Sequence, residues 1–201
     1  MTTQNRISWL NIKFLALLAG CALVPTLAQA HHLPGETNGF VGGLNHPVHG
    51  WDHILAMVAV GLWASQLGGR ALWLVPATFV SLMAAGGMLG MMGVPVPGVE
   101  TGILVSVLGL GLLIATAARL PLAASMAVVG LFAIFHGQAH GAEIPVAASG
   151  LSYGFGFVVS TAGLHACGLG MGLLAQKRFA IPAVRLAGAA IALGGLCLWL
   201  F

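Results

Sequence analysis

Charge is the scarcest property of this chain: seven Lys and Arg and four Asp and Glu among 201 residues, 5% in all. A soluble domain carries about 25% charged residues. With 59% hydrophobic residues and a mean hydropathy of +1.00, a chain of this size cannot hide its apolar surface from water, so lipid must be its solvent. Cysteine is scarce as well. Cys21, Cys167 and Cys197 all sit in apolar runs, and no disulfide framework is implied. The formal net charge of +3 is scattered, without a basic patch or aromatic–basic interleaving, which speaks against nucleic acid as a partner. Neither Gly-x4-Gly-Lys-Ser/Thr nor His-Glu-x-x-His occurs, so a nucleotide-binding loop and the common zinc-hydrolase helix are both missing.

What the chain has in plenty is apolar residues in long runs. Residues 1–30 read as a secretory signal peptide. Arg6 and Lys13 supply the positive region, Phe14–Val24 the apolar stretch, and Ala28-Gln29-Ala30 a small-x-small cleavage site. Two other readings stay open: Leu18-Ala19-Gly20-Cys21 resembles a lipobox that would lipidate Cys21, and an uncleaved anchor would add a seventh helix. Cleavage after Ala30 exposes His31-His32. Residues 31–46 form a short polar, periplasmic lead-in, and 47–201 a transmembrane domain. The expected fold is all-α, a compact bundle of six transmembrane helices. The segments run Pro47–Leu67, Ala71–Gly93, Val99–Ala118, Pro121–Gly141, Pro145–Gln176 and Ile181–Phe201, each near or above the ~20 residues a span needs. Short turns join them, at Gly68-Gly69, Pro95-Val96-Pro97-Gly98 and Glu143-Ile144-Pro145. Glycine, at 30 residues against a usual ~7%, recurs as Gly86-x3-Gly90, Gly98-x3-Gly102, Gly150-x3-Gly154 and Gly168-x3-Gly172, spacings that let helices approach closely.

The basic residues set an orientation. Arg70, Arg119, Lys177, Arg178 and Arg185 follow or flank the ends of odd-numbered segments, and the other connections carry no Lys or Arg. The positive-inside rule then puts those ends in the cytoplasm and both mature termini in the periplasm, as a cleaved signal also requires.

That topology turns the rare polar residues into a location. His46, His49, Asp52 and His53 fall at the outer end of the first segment, Glu100 at the outer start of the third, and His136, His140 and Glu143 at the outer end of the fourth. If Pro47 opens the first helix, then at about 100° per residue His46, His49, His53 and Met57 share an arc of roughly 80°, with Asp52 beside it. His136, His140 and Glu143 share about 60° if their helix persists that far. Only His165 lies deeper, as a helix-packing donor or a relay step. Ionisable groups inside a membrane are costly, and they usually line an ion's route. The bland alternatives are polar helix ends that satisfy themselves in the headgroup layer, a His–Glu pair locking two helices, and, for Glu100, a first-turn acid favoured by the helix dipole. Several imidazoles with a few carboxylates suit Ni²⁺, Co²⁺ or Zn²⁺, whereas Mg²⁺ and Ca²⁺ want mostly oxygen.

His46, five residues, then Asp52-His53 resembles the His-x5-Asp-His signature of the HupE/UreJ family. Phe135-His136-Gly137-Gln138-Ala139-His140-Gly141-Ala142-Glu143 resembles its second signature, Phe-His-Gly-x-Ala/Val-His-Gly-x-Glu. The resemblance implies a secondary permease of the bacterial inner membrane, without an ATPase and with no permanently bound cofactor. Its cargo would be Ni²⁺, or Co²⁺, delivered for hydrogenase or urease maturation. It makes His46, Asp52, His53, His136, His140 and Glu143 the transport residues; His49 falls outside the pattern. A homo-oligomer stays open. Two other classes compete: a membrane metalloenzyme in which the same cluster activates water, and a haem-binding bundle, which would want facing histidines deep in the helices.

Overall fold

The computed structural model describes residues 39–144, 149–178 and 181–200. The expected signal peptide, Cys21 and His31-His32 lie outside these residues. Among them the structure is all-helical, with seven α-helices and no strand. Helix α1 spans Phe40–Asn45, and a 3-10 turn spans His46–Val48. There follow α2 Trp51–Leu67, α3 Ala71–Met91, α4 Val99–Ala115, α5 Leu122–Ala142, α6 Gly150–Arg178 and α7 Ile181–Leu200. Each of the six apolar segments forms one helix. Four of them (α3, α5, α6 and α7) are long and apolar enough to cross a membrane. Helices α2 and α4 have 17 residues each, about 26 Å of rise against a hydrocarbon core of ~30 Å.

The first segment departs from expectation. Pro47 does not open a continuous helix; it sits in the 3-10 turn, the chain is extended at Gly50, and α2 starts afresh at Trp51. The shared face expected of His46, His49, His53 and Met57 is therefore broken. Phe40–Asn45, inside the expected polar lead-in, is helical because Gly43 and Gly156 let it press against α6. A methyl group on Gly43 would lie 1.9 Å from the Tyr153 carbonyl oxygen, and one on Gly156 2.1 Å from that of Phe40.

Glycine contacts of this kind join the bundle. Helices α3 and α5 pack closely along Gly86 and Gly90 on one side and Gly137 and Gly141 on the other. A Cβ on Gly137 would meet the Met83 carbonyl oxygen at 2.0 Å, and one on Gly141 that of Gly87 at 2.0 Å. Gly111 and Gly188 do the same for α4 and α7, and Gly61 and Gly168 for α2 and α6. In lipid, where apolar surface gives no net drive to associate, such close backbone approach is a main source of packing energy. Two expected glycine pairs serve otherwise. Gly98 caps α4 in a left-handed conformation (φ 70°), and Gly154 has no neighbouring atom near it.

The two ends of the bundle differ in charge. At one end Arg70 and Arg119 line a common cleft, Arg185 Nε donates to the Ala115 carbonyl at 2.8 Å, and Gln176, beside Lys177, donates to the Ser65 carbonyl at 3.1 Å. The acids Asp52, Glu100 and Glu143 lie at the other end, on helix termini joined there by a bond from Gln138 Nε2 to the Val94 carbonyl.

Candidate metal centre

The polar end of α5 assigns each residue of its signature to a different neighbour. Successive residues turn by about 100°, so His136 and His140 point one way and Gly137 and Gly141 another. The glycines bring in α3; Phe135 fills the space left by Gly102 of α4, where a Cβ would lie 2.4 Å from its ring. The imidazoles are left facing the start of α2 and the turn before it. The α5 backbone stays helical through Ala142, and Glu143 at its cap keeps helical dihedrals, so the arc expected of His136, His140 and Glu143 is present.

Four imidazoles form a continuous chain. Ring centroids lie 4.6 Å apart from His46 to His140, 4.2 Å from His140 to His53, and 4.9 Å from His53 to His136. At the mouth, His46 Nε2 is 3.4 Å from Glu143 Oε2 and His140 Nδ1 is 4.0 Å from the same oxygen. One ligand atom from each of His46, His140 and Glu143 falls within 4.8 Å of the others. Donors around one ion at about 2.1 Å lie no more than ~4.2 Å apart, so closing this set takes only small side-chain rotations.

Further in, hydrogen bonds fix the tautomers. Asp52 Oδ1 accepts from His53 Nδ1 at 2.8 Å and from the His53 backbone N–H at 2.9 Å, which turns the Nε2 lone pair inward. The single Ser106 hydroxyl proton goes to the Ile103 carbonyl at 2.6 Å. Its oxygen therefore accepts from His136 Nε2 at 2.8 Å and leaves His136 Nδ1 as the lone pair. His53 Nε2, His136 Nδ1 and both nitrogens of His140 are buried without a hydrogen-bond partner. Unpaired buried groups cost about 1–3 kcal/mol each. The two rings held by outer partners, His53 and His136, present their free nitrogens in the manner of metal-ligating histidines, and with His140 between them they suit a cation that completes them.

Two expected candidates stand apart. His49 is exposed and hydrogen-bonds the Asn45 carbonyl through Nδ1 at 2.7 Å, because the break at Gly50 turns it off the α2 face. Glu100 is exposed in the first turn of α4, with no hydrogen bond or ion pair to the described residues. Met57 is wholly buried in the core. Two partners escaped sequence reasoning. Tyr153 of α6 hydrogen-bonds His46 Nδ1 through its hydroxyl, and Ser106 of α4 holds His136. The one signal for Tyr153 was that it is the only tyrosine in the chain. Ser106 gave none.

Comparison with known proteins agrees with the resemblance. The family model described as HupE / UreJ protein matches residues 18–198. Protein HupE of Rhizobium leguminosarum bv. viciae is 46% identical over 186 residues, which cover 92% of this chain and 96% of that protein. No solved structure matches.

Proposed function

The chain belongs to the HupE/UreJ family, and from that premise we propose that it is a secondary permease that carries Ni²⁺, or Co²⁺, from the periplasm to the cytoplasm for metalloenzyme maturation. The carrying observation is the chain of four imidazoles, three of which (His53, His136 and His140) have buried, unpaired nitrogens. In this reading all six helices α2–α7 cross the membrane, with the basic end inside by the positive-inside rule and the acidic end outside. Nitrogen donors with a few carboxylates select a borderline divalent ion over Mg²⁺ or Ca²⁺.

The geometry supports a stepwise entry. The Glu143 side chain is 44% exposed and that of His46 22%, so both can meet a hydrated ion and begin to replace its water. His140 touches both His46 and His53, so it can hold the ion while the ligands behind it let go and those ahead engage. Each step exchanges one or two donors, and the ion is never left bare in a medium of low polarity. Ser106 and His136 resemble the nucleophile–base pair of a hydrolase, but Ser106 is wholly buried and its proton is committed to the Ile103 carbonyl. That geometry fixes a ring. It does not activate a nucleophile.

The test is uptake of labelled Ni²⁺ and Co²⁺ by cells that express the chain. His53→Ala and His136→Ala should abolish uptake at normal membrane abundance. Undiminished uptake in both variants overturns the permease reading of this imidazole cluster.

A further inference from the structure

His165 lies outside both family signatures, and the imidazole chain described above stops short of it. It sits in the middle of α6, 2% exposed, and neither ring nitrogen has a hydrogen-bond partner. A histidine that served only to tie helices together would donate to a neighbour; this one donates to none among the described residues. Phe79 of α3, wholly buried, packs against both His165 and His136, the innermost of the outer rings. Its centroid is 5.7 Å from that of His136 and 5.1 Å from that of His165, edge-on to the latter.

On its other side His165 lines a groove of about 400 Å³ between α3 and α6, bordered by Leu72, Pro76, Ala77, Ser81, Ala162 and Leu169 among others. Leu72 is the second residue of α3, so the groove runs from the level of His165 to the basic end of the bundle. Pro76 has no N–H to give the Leu72 carbonyl four residues back, which frees a backbone acceptor in the groove wall. The Ser81 hydroxyl adds a second oxygen donor. The rest of the lining is apolar, so the polar groups beside the groove are the Leu72 carbonyl, the Ser81 hydroxyl and the imidazole.

We propose that His165 is the inner ligand of the ion's route, that Phe79 is the gate between it and the outer imidazoles, and that the α3–α6 groove is the exit. This inference rests on the permease reading and names the half of the path which that reading leaves blank. The Phe79 ring lies against both imidazoles, so a rotamer change of one side chain would bring the two stations together while its usual position keeps them apart. A closed gate of this kind lets the outer site load without opening a continuous leak.

The experiment uses the full chain. Co²⁺ uptake by cells and Co²⁺ binding by the detergent-purified protein are measured for His165→Ala and His165→Asn. Uptake should fall to background in both, with binding unchanged because His46, His53, His136 and His140 are intact. Normal uptake in His165→Ala, with uptake abolished in His53→Ala, overturns the inner station and leaves the permease standing. Normal uptake in both overturns the role of the outer imidazole cluster, on which this inference rests. Loss of binding together with uptake would make His165 part of the outer site and overturn its separate role. Independently of folding in these variants, Ala77→Cys in a background lacking Cys21, Cys167 and Cys197 should react with a water-soluble thiol reagent applied from the inner face. A groove filled by lipid, and closed to that reagent, overturns the exit.

Discussion

The mouth of the site and the sealed pair behind it use the same side chain in different ways. At the mouth, His46 and His140 converge on Glu143, a carboxylate on the cap of α5 with 44% of its side chain exposed, and water can reach the set. Behind it, His53 and His136 are buried, and each is fixed in tautomer by a partner that is not itself aimed at the ion, Asp52 for one and Ser106 for the other. An exposed carboxylate on a helix end captures quickly and holds loosely. A pre-oriented imidazole pair with unpaired lone pairs holds selectively. On the proposed reading, the difference divides capture from selection between two regions only one ring apart, with His140 shared between them.

Substitutions can sharpen or break that division. The largest effect among the supporting residues is expected at Asp52, which orients His53 without facing the route. Asp52→Asn keeps an acceptor but loses the charge, and Co²⁺ affinity measured by equilibrium binding should fall about 10–100-fold; an unchanged affinity would show that the sealed pair needs no outer support. Glu143→Gln removes the capturing charge and should raise the Ni²⁺ concentration for half-maximal uptake by about tenfold, with the maximal rate nearly kept. A collapse of the maximal rate instead would merge the two regions into one site. The smallest effect is expected for His49→Ala. This exposed ring bonds only its own turn, and uptake should stay within about twofold of the unsubstituted chain, as for surface changes in general. A larger loss would place His49 in the capture step after all.

Much of the site was legible because its residues are rare. In a chain with four acids and eight histidines, their gathering at one end of the apolar segments was visible from spacing and loop charge alone. The α5 arc was legible because a helix of regular pitch carried it through to Glu143. The arc expected at the first segment failed because the chain is extended at Gly50 (φ −105°, ψ 123°), a conformation open to any residue, and periodicity cannot report such a break. The Gly137 and Gly141 contact was hidden inside the histidine signature, because nothing within one segment says which of its glycines another helix will meet. Their spacing is the same as that of Gly86 and Gly90 on α3, and they meet Met83, Gly87 and Gly90 across the α3–α5 contact.

The sequence by itself determined the solvent, the helical class, the helix positions to within a few residues, and the end of the bundle where the ionisable groups collect. These follow from composition and from the pitch of a single helix, which are local properties. Only the tertiary structure decided which imidazoles meet, that His49 and Glu100 stand aside, and that Tyr153 and Ser106 fix two of the rings. Those outcomes depend on distances between helices far apart in sequence. Such distances are set by where glycines let one backbone press against another, and no periodicity within one segment encodes them.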